Sequence, residues 1–142
     1  MVGAGYWGKN HIETLNRLNV LKGIVELDAN TLRNFLNKYP GVQGHSSIQD
    51  ALLKDYDGFV IATPAKTHFK IAKMIMNAQK HILIEKPMTL SIEEARELVV
   101  LSQINKINVM VGHVLLFHPA VKKIKEMICN GEIGDLQYIY SN

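Results

Sequence analysis

The sequence predicts an α/β fold, a doubly wound parallel sheet with helices on both faces, on three observations. Short β-branched runs alternate with helical patterns along the chain, which is the mark of strands joined by crossover helices. The later runs are nearly all apolar, as strands buried on both faces should be. A glycine-rich turn, Gly3-Ala4-Gly5-Tyr6-Trp7-Gly8, opens the first helix.

The elements follow in order. A helix is expected over residues 8–18 and a strand over 21–27. Asp28, two residues past Glu26, suits the cap of a following helix. Further strands are expected at 58–62, 81–85 and 108–112. Residues 67–78 place Ile71, Met74, Ile75 and Ala78 on one helical stripe, and residues 92–104 do so with Ala95, Leu98, Val99 and Ser102. Met and Ile on such stripes are core residues before they are anything else. After Gly112 the rhythm changes. Pro119 opens a helix with Val121, Ile124 and Ile128 as its apolar face, and Gly131 is placed to stop it. Gly134-Asp135 then leads into residues 136–140, which alternate like the first strand of a second, α+β domain.

Bulk composition bounds the alternatives. The chain has 142 residues, is 47% hydrophobic and 20% charged, and carries a net charge of +3. That is the balance of one globular domain with a sizeable core. Lys and Arg are scattered and never form a run, so nucleic acid is not an expected partner. Cys129 is the single cysteine and makes no internal disulfide, which fits a reducing compartment. No apolar run reaches the roughly 20 residues a bilayer requires. The first residues carry no charged leader, so a cytoplasmic, membrane-free protein is expected. His11, His45 and His81 are dispersed, and no Cys/His spacing forms a zinc cluster; no metal is expected.

The glycine turn is a G-x-G-x-x-G fingerprint. Its first glycine makes the tight turn, its second lets a pyrophosphate approach the backbone, and its third packs helix on strand. The helix N-terminus supplies N–H groups and positive dipole to the phosphates. Alone the motif is weak, since methyltransferases and other glycine turns mimic it. Here a strand follows and ends in Glu26, 18 residues past Gly8 (26 − 8). An acid at about 20 residues accepts hydrogen bonds from the adenosine ribose hydroxyls. It repels a 2′-phosphate and no Arg follows it, which favours NAD over NADP. The plainer reading of Glu26 is a solvated acid at a strand end. The predicted sheet is therefore Rossmann-type, with one anomaly. The fingerprint should follow a buried central strand, and only Met1 and Val2 precede Gly3. The first strand is expected to be largely missing, to leave a slot between its neighbours, and to make the chain loosely packed or prone to aggregate.

Three further segments narrow the class. Ala62-Thr63-Pro64-Ala65-Lys66-Thr67-His68 follows one buried strand, and Glu85-Lys86-Pro87 ends the next. Gly112-His113 is followed by Phe117-His118-Pro119-Ala120-Val121. Together with the glycine loop, these resemble the glucose–fructose oxidoreductase and inositol dehydrogenase family (Gfo/Idh/MocA), over essentially the whole chain. Gly5-Tyr6-Trp7-Gly8-Lys9-Asn10, His118-Pro119-Ala120-Val121, Gly131-Glu132-Ile133-Gly134-Asp135 and Tyr138-Ile139-Tyr140-Ser141 resemble its nucleotide-sugar branch. That branch includes UDP-N-acetylglucosamine and UDP-N-acetylglucosaminuronate 3-dehydrogenases.

The resemblance implies an NAD-binding domain over 1–118, and over 119–142 a linking helix and the first strand of a truncated substrate and dimerisation domain. It implies NAD held by Gly3, Gly5, Tyr6, Trp7, Gly8, Glu26, Thr63, Pro64, His68, Glu85 and Lys86. Lys86 matches the catalytic lysine at the reacting sugar hydroxyl, where an ammonium donates to a developing alkoxide while hydride leaves carbon. Glu85 either orients Lys86 or caps a turn, and His68 either lies beside the nicotinamide or caps the start of a helix. His113 matches a position near substrate, whereas His118 either shares that role or starts the next helix. The family's main acid–base residue falls beyond Asn142. The expected function is therefore the cofactor half of an NAD-dependent sugar or nucleotide-sugar dehydrogenase, inactive alone, whose intact form is a homo-oligomer through the second sheet. The alternative is a non-catalytic dinucleotide-binding piece of a truncated or broken gene.

Overall fold

Parallel strands and the helices between them make up the first of two units, Met1–Gly112, in a computed structural model that describes residues 1–140. In chain order this unit contains α1 (Gly8–Arg17), β1 (Gly23–Val25), α2 (Ala29–Lys38), β2 (Gln43–His45) and α3 (Ile48–Leu52). It continues with β3 (Gly58–Ile61), α4 (His68–Asn77), β4 (His81–Ile84), α5 (Ile92–Asn105) and β5 (Val109–Val111). The second unit begins at His113 and holds a short 3₁₀ turn, Val114–Phe117, and α6 (Pro119–Cys129).

β1 pairs with β2, and β3, β4 and β5 pair in that order, all in parallel. Val2 joins the two groups by bridging Val25 on one side and Ile61 on the other. The Val2 N–H donates to the Val60 carbonyl (2.7 Å) and the Ala62 N–H donates to the Val2 carbonyl (2.9 Å). Towards β1, the Val25 N–H donates to Met1 (2.8 Å) and the Gly3 N–H to Val25 (2.9 Å). With Met1-Val2 counted as the first strand, the spatial order is that of the doubly wound dinucleotide-binding sheet.

Alternation along the strands sends side chains to two cores. Met1 and Ile24 pack with Ile12 of α1 and Tyr39 on one face. Val2, Val25, Ile61 and Ile84 pack with Ile75 of α4 and Leu98 of α5 on the other. Burying an aliphatic side chain of this size contributes about 1.5–3 kcal/mol. Capping is supplied where expected: the Asp28 carboxylate accepts the Thr31 N–H at the start of α2 (2.7 Å). This bond holds the Asp28 carboxyl below its usual range.

The expected slot is present, but only in one half of the sheet. Met1 and Val2 close the C-terminal half, and a cavity of about 440 Å³ opens behind Met1 between Leu21, Gly23, Phe59 and Ile82. Within a parallel ladder a residue's N–H and C=O face the same neighbour. Val60 gives its carbonyl to Val2, so its N–H faces the slot. The Met1 amino group sits at the slot's inner end and donates to the Gly23 carbonyl (2.9 Å).

Other expectations need correction. The strands are shorter than predicted, and β2 and α3 were not anticipated: Gln43-Gly44-His45 shows no apolar alternation. Ala78 follows the last turn of α4 and is exposed, because the buried stripe turns through Ala72, Ile75 and Met76. Val99 is also exposed, and Leu98 alone is buried on α5. Residues 136–140 form no strand, since no described residue pairs with them; Tyr138 and Tyr140 are exposed. Ser141, the last residue of the branch-like motif, lies outside the described residues.

Burial pushes the Met1 amino group down from 8.0 to about 5. Between these values the unfolded chain binds a proton that the folded chain refuses, so stability is full above pH 8 and falls as the pH drops towards 5. The gap corresponds to a loss on the order of 4 kcal/mol. Urea midpoints at pH 8 and pH 5 check this against an Nα-acetylated chain, which keeps the N–H without the charge. Acetylation should remove most of the pH dependence. The remainder belongs to groups such as His45, which burial, with Lys54 nearby, holds below the ordinary histidine range.

Candidate functional site

The strand order reverses at Val2, and in such sheets the crevice lies outside the carboxyl ends of the strands at that point. Those ends carry Gly3, Glu26 after β1, Ala62 and Thr63 after β3, and Glu85 after β4. A cavity of about 340 Å³ opens there, lined by Gly3, Gly5, Glu26, Ser47, Thr63 and Pro64 among others. The slot behind Met1 is larger but lies at the opposite ends of the strands.

The three glycines of the fingerprint have different reasons to be glycine. Gly3 has φ +85°, and a Cβ there would lie 2.9 Å from the Ala62 carbonyl oxygen. A Cβ on Gly8 would run into the Gly3 carbonyl. A Cβ on Gly5 would meet nothing within 4 Å. Gly5 therefore faces open space in front of α1, and no side chain caps that helix. The residues fit a diphosphate here, because the open space at Gly5 lies before the positive end of the α1 dipole, which favours an anion. Tyr6 and Trp7 are exposed and meet edge to face, with ring centroids 5.8 Å apart.

Glu26 is half-buried at the cavity rim, and backbone holds both of its oxygens. Oε2 accepts the Ala4 N–H (2.8 Å) and Oε1 the Asp28 N–H (3.1 Å). The carboxylate is thus fixed beside the glycine loop, with lone pairs left over for a ligand. It is not a freely solvated acid.

Thr63, Pro64 and His68 lie on the turn after β3. The Thr67 hydroxyl donates to the Pro64 carbonyl (2.7 Å) and lies 2.8 Å from the Thr63 hydroxyl. His68 is 1% exposed. Its Nδ1 contacts the Pro87 carbonyl and its Nε2 the Thr63 carbonyl, each at 2.8 Å. Its polar atoms are spent on tying this turn to the segment after β4, where the Lys86–Pro87 peptide is cis.

Lys86 is exposed at the mouth of a hollow of about 90 Å³ that it shares with Trp7, Thr63, His68 and Glu85. Glu85 is buried. Its Oε1 accepts a hydrogen bond from His11 Nε2 (2.7 Å), and its Oε2 accepts the Lys86 backbone N–H (3.2 Å). A Cβ on Gly112 would lie 3.0 Å from each carboxylate oxygen, so glycine there leaves Glu85 its place. His113 opens the second unit as an exposed residue, and His118 caps α6 through Nδ1, which accepts the Ala120 N–H (3.2 Å).

Sequence reasoning gave no site role to His11, read only as one of the dispersed histidines, or to Gly112, read only as part of a motif. His11 lies three residues past Gly8, on the first turn of the fingerprint helix, and that spacing was the available signal. Among the described residues no cluster of three or more His, Cys, Asp or Glu could hold a metal, and no helix is long and apolar enough to cross a membrane.

Fold and crevice together define a dinucleotide-binding oxidoreductase domain. The chain belongs to the GFO_IDH_MocA family, the oxidoreductase family with an NAD-binding Rossmann fold, whose sequence pattern matches residues 1–113. It is 31% identical over 131 residues to the UDP-N-acetylglucosamine 3-dehydrogenase of Acidithiobacillus ferrooxidans, covering 89% of this chain and 40% of that protein. The solved structure of UDP-N-acetylglucosamine 3-dehydrogenase GnnA from the same organism superposes with a TM-score of 0.81 at 30% identity, over 88% of this chain and 41% of that one. GenD2 from gentamicin A biosynthesis, solved in complex with NAD, gives 0.87 at 28% identity, over 92% and 38%. The chain thus spans about two fifths of the length of these relatives. The cofactor is NAD.

The glycines separate folding from binding. Gly5→Val should leave the thermal transition within about 1 kcal/mol, because its side chain enters empty space, while NAD binding is lost. Gly8→Ala should damage both, because its Cβ collides with the loop itself. Calorimetry and NAD titration of the two variants check this. Tight NAD binding by Gly5→Val would place the diphosphate elsewhere.

Proposed function

We propose that this chain is the cofactor-binding part of a dehydrogenase that oxidises a hydroxyl-bearing carbon of a sugar, and specifically of a nucleotide sugar. The observation that carries the reading is the run of groups along one crevice. The glycine loop, the backbone-held Glu26 carboxylate and the exposed Lys86 ammonium line successive parts of it. The nucleotide-sugar assignment is supported by the UDP-N-acetylglucosamine 3-dehydrogenase relative and by the segments after Gly112.

In this reading Gly3, Gly5 and Gly8 give the diphosphate room, with the amides of Tyr6 and Trp7 beside it. Glu26 accepts from the ribose hydroxyls of the adenosine. Thr63, Pro64 and His68 form the wall at the nicotinamide end, where His68 acts by holding the wall together. NAD supplies the hydride acceptor. Lys86 donates a hydrogen bond to the substrate oxygen and stabilises the negative charge that grows there. Glu85 sets the direction of Lys86, and His113 serves the substrate side. Proton removal is completed by a residue outside this chain, so the 142-residue chain alone forms no NADH from sugar.

Lys86→Ala in the enzyme carrying its substrate domain tests the role. Turnover should fall by about 10²–10³-fold, the usual worth of one donor to a developing negative charge. NAD affinity should change little. A variant with full turnover would remove Lys86 from the chemistry.

A further inference from the structure

Among the described residues of the first unit, Glu85 is the one buried carboxylate. It is 8% exposed and sits at the meeting point of four elements. Its backbone N–H donates to Ile61 at the end of β3 (2.9 Å), and Gly112, after β5, lies against both carboxylate oxygens. One oxygen takes the Lys86 N–H and the other takes His11 Nε2. Removing one partner of a buried charge is costly because the remaining charge has no water to replace it. The partners of Glu85 therefore decide where it stays, and Lys86 follows it by one residue.

Of those partners, His11 alone comes from the fingerprint helix. It lies on the first turn of α1, and its own N–H is bonded to the Trp7 carbonyl in the glycine loop (3.3 Å). A single imidazole thus links the turn that faces the diphosphate to the residue beside the reacting ammonium. We infer that His11 is a positioning residue. It anchors Glu85, and through it Lys86, to the first turn of α1, so that filling the glycine loop fixes Lys86. This rests on the glycine loop binding the cofactor's diphosphate.

The test uses ADP with the ¹⁵N-labelled 142-residue chain. ADP carries the adenosine and diphosphate but lacks the nicotinamide, and His11→Leu separates a response carried by Glu85 from direct contact. In the parent chain ADP should move the amide signals of Gly5 and Gly8 and also that of Lys86. In His11→Leu the loop signals should move while Lys86 stays still. His11→Gln, whose amide nitrogen replaces Nε2, should restore the Lys86 response. Gly112→Ala presses on the carboxylate without touching α1. It should weaken the same response, and it serves as the test if His11→Leu does not fold. A Lys86 signal that responds in His11→Leu as in the parent would overturn the inference, as would loop shifts in the parent without any at Lys86. Silence at Gly5 and Gly8 in the parent would instead remove the cofactor reading on which the inference rests.

Discussion

Four backbone hydrogen bonds around Met1 and Val2 hold the two halves of the sheet in register, and the site depends on that seam. Val2 alone bridges both neighbours, Val25 and Ile61. Each such bond contributes only about 1 kcal/mol net, but a buried amide left without a partner costs about 1–3 kcal/mol. The seam therefore acts chiefly by leaving no intermediate arrangement of β1 against β3 that satisfies the backbone. It also sets where the strand order reverses. Gly3 leaves the seam directly, Glu26 follows Val25, and Ala62 follows Ile61, so three parts of the crevice are placed by two residues.

What the seam positions, side chains then make rigid. Glu26 is held by the Ala4 and Asp28 amides, His68 by two carbonyls, and Glu85 by His11 and the Lys86 amide. In each case the functional edge of the crevice is tied to backbone or to a neighbouring element, so little ordering remains to be done when a ligand arrives. Gly5 is the complementary case, a position where the protein supplies nothing and leaves room. Lys86 stays exposed.

The parts of the fold that were legible in the sequence were those written in side-chain type. β3 and β4 carry apolar runs, Gly3 and Gly8 of the fingerprint are fixed by backbone clearance, and Glu-Lys-Pro stands at a strand end. The unread parts were decided by partners distant in sequence. β2 is Gln43-Gly44-His45, a strand by virtue of its pairing with β1 rather than its own preference. Residues 136–140 show the converse, a strand-like alternation with no pairing edge among the described residues. The exposed Ala78 and Val99 show that helical periodicity marks a stripe but not its centre. The spacing of His11 from Gly8 is in the sequence, but its meaning comes from Glu85, 74 residues away. Met1 and Val2, two residues, suffice to close the sheet at the end where the crevice lies.

Native-state hydrogen exchange at the seam tests this account most directly. The amides of Val2, Gly3, Val25 and Ala62 should exchange only through the same global opening that exposes the β3–β4 ladder, with equal free energies. Exchange of these four amides at the rate of a fraying chain end, while β3 and β4 remain protected, would contradict it. The two halves of the sheet would then hold together without the seam, and the crevice would owe its shape to something else.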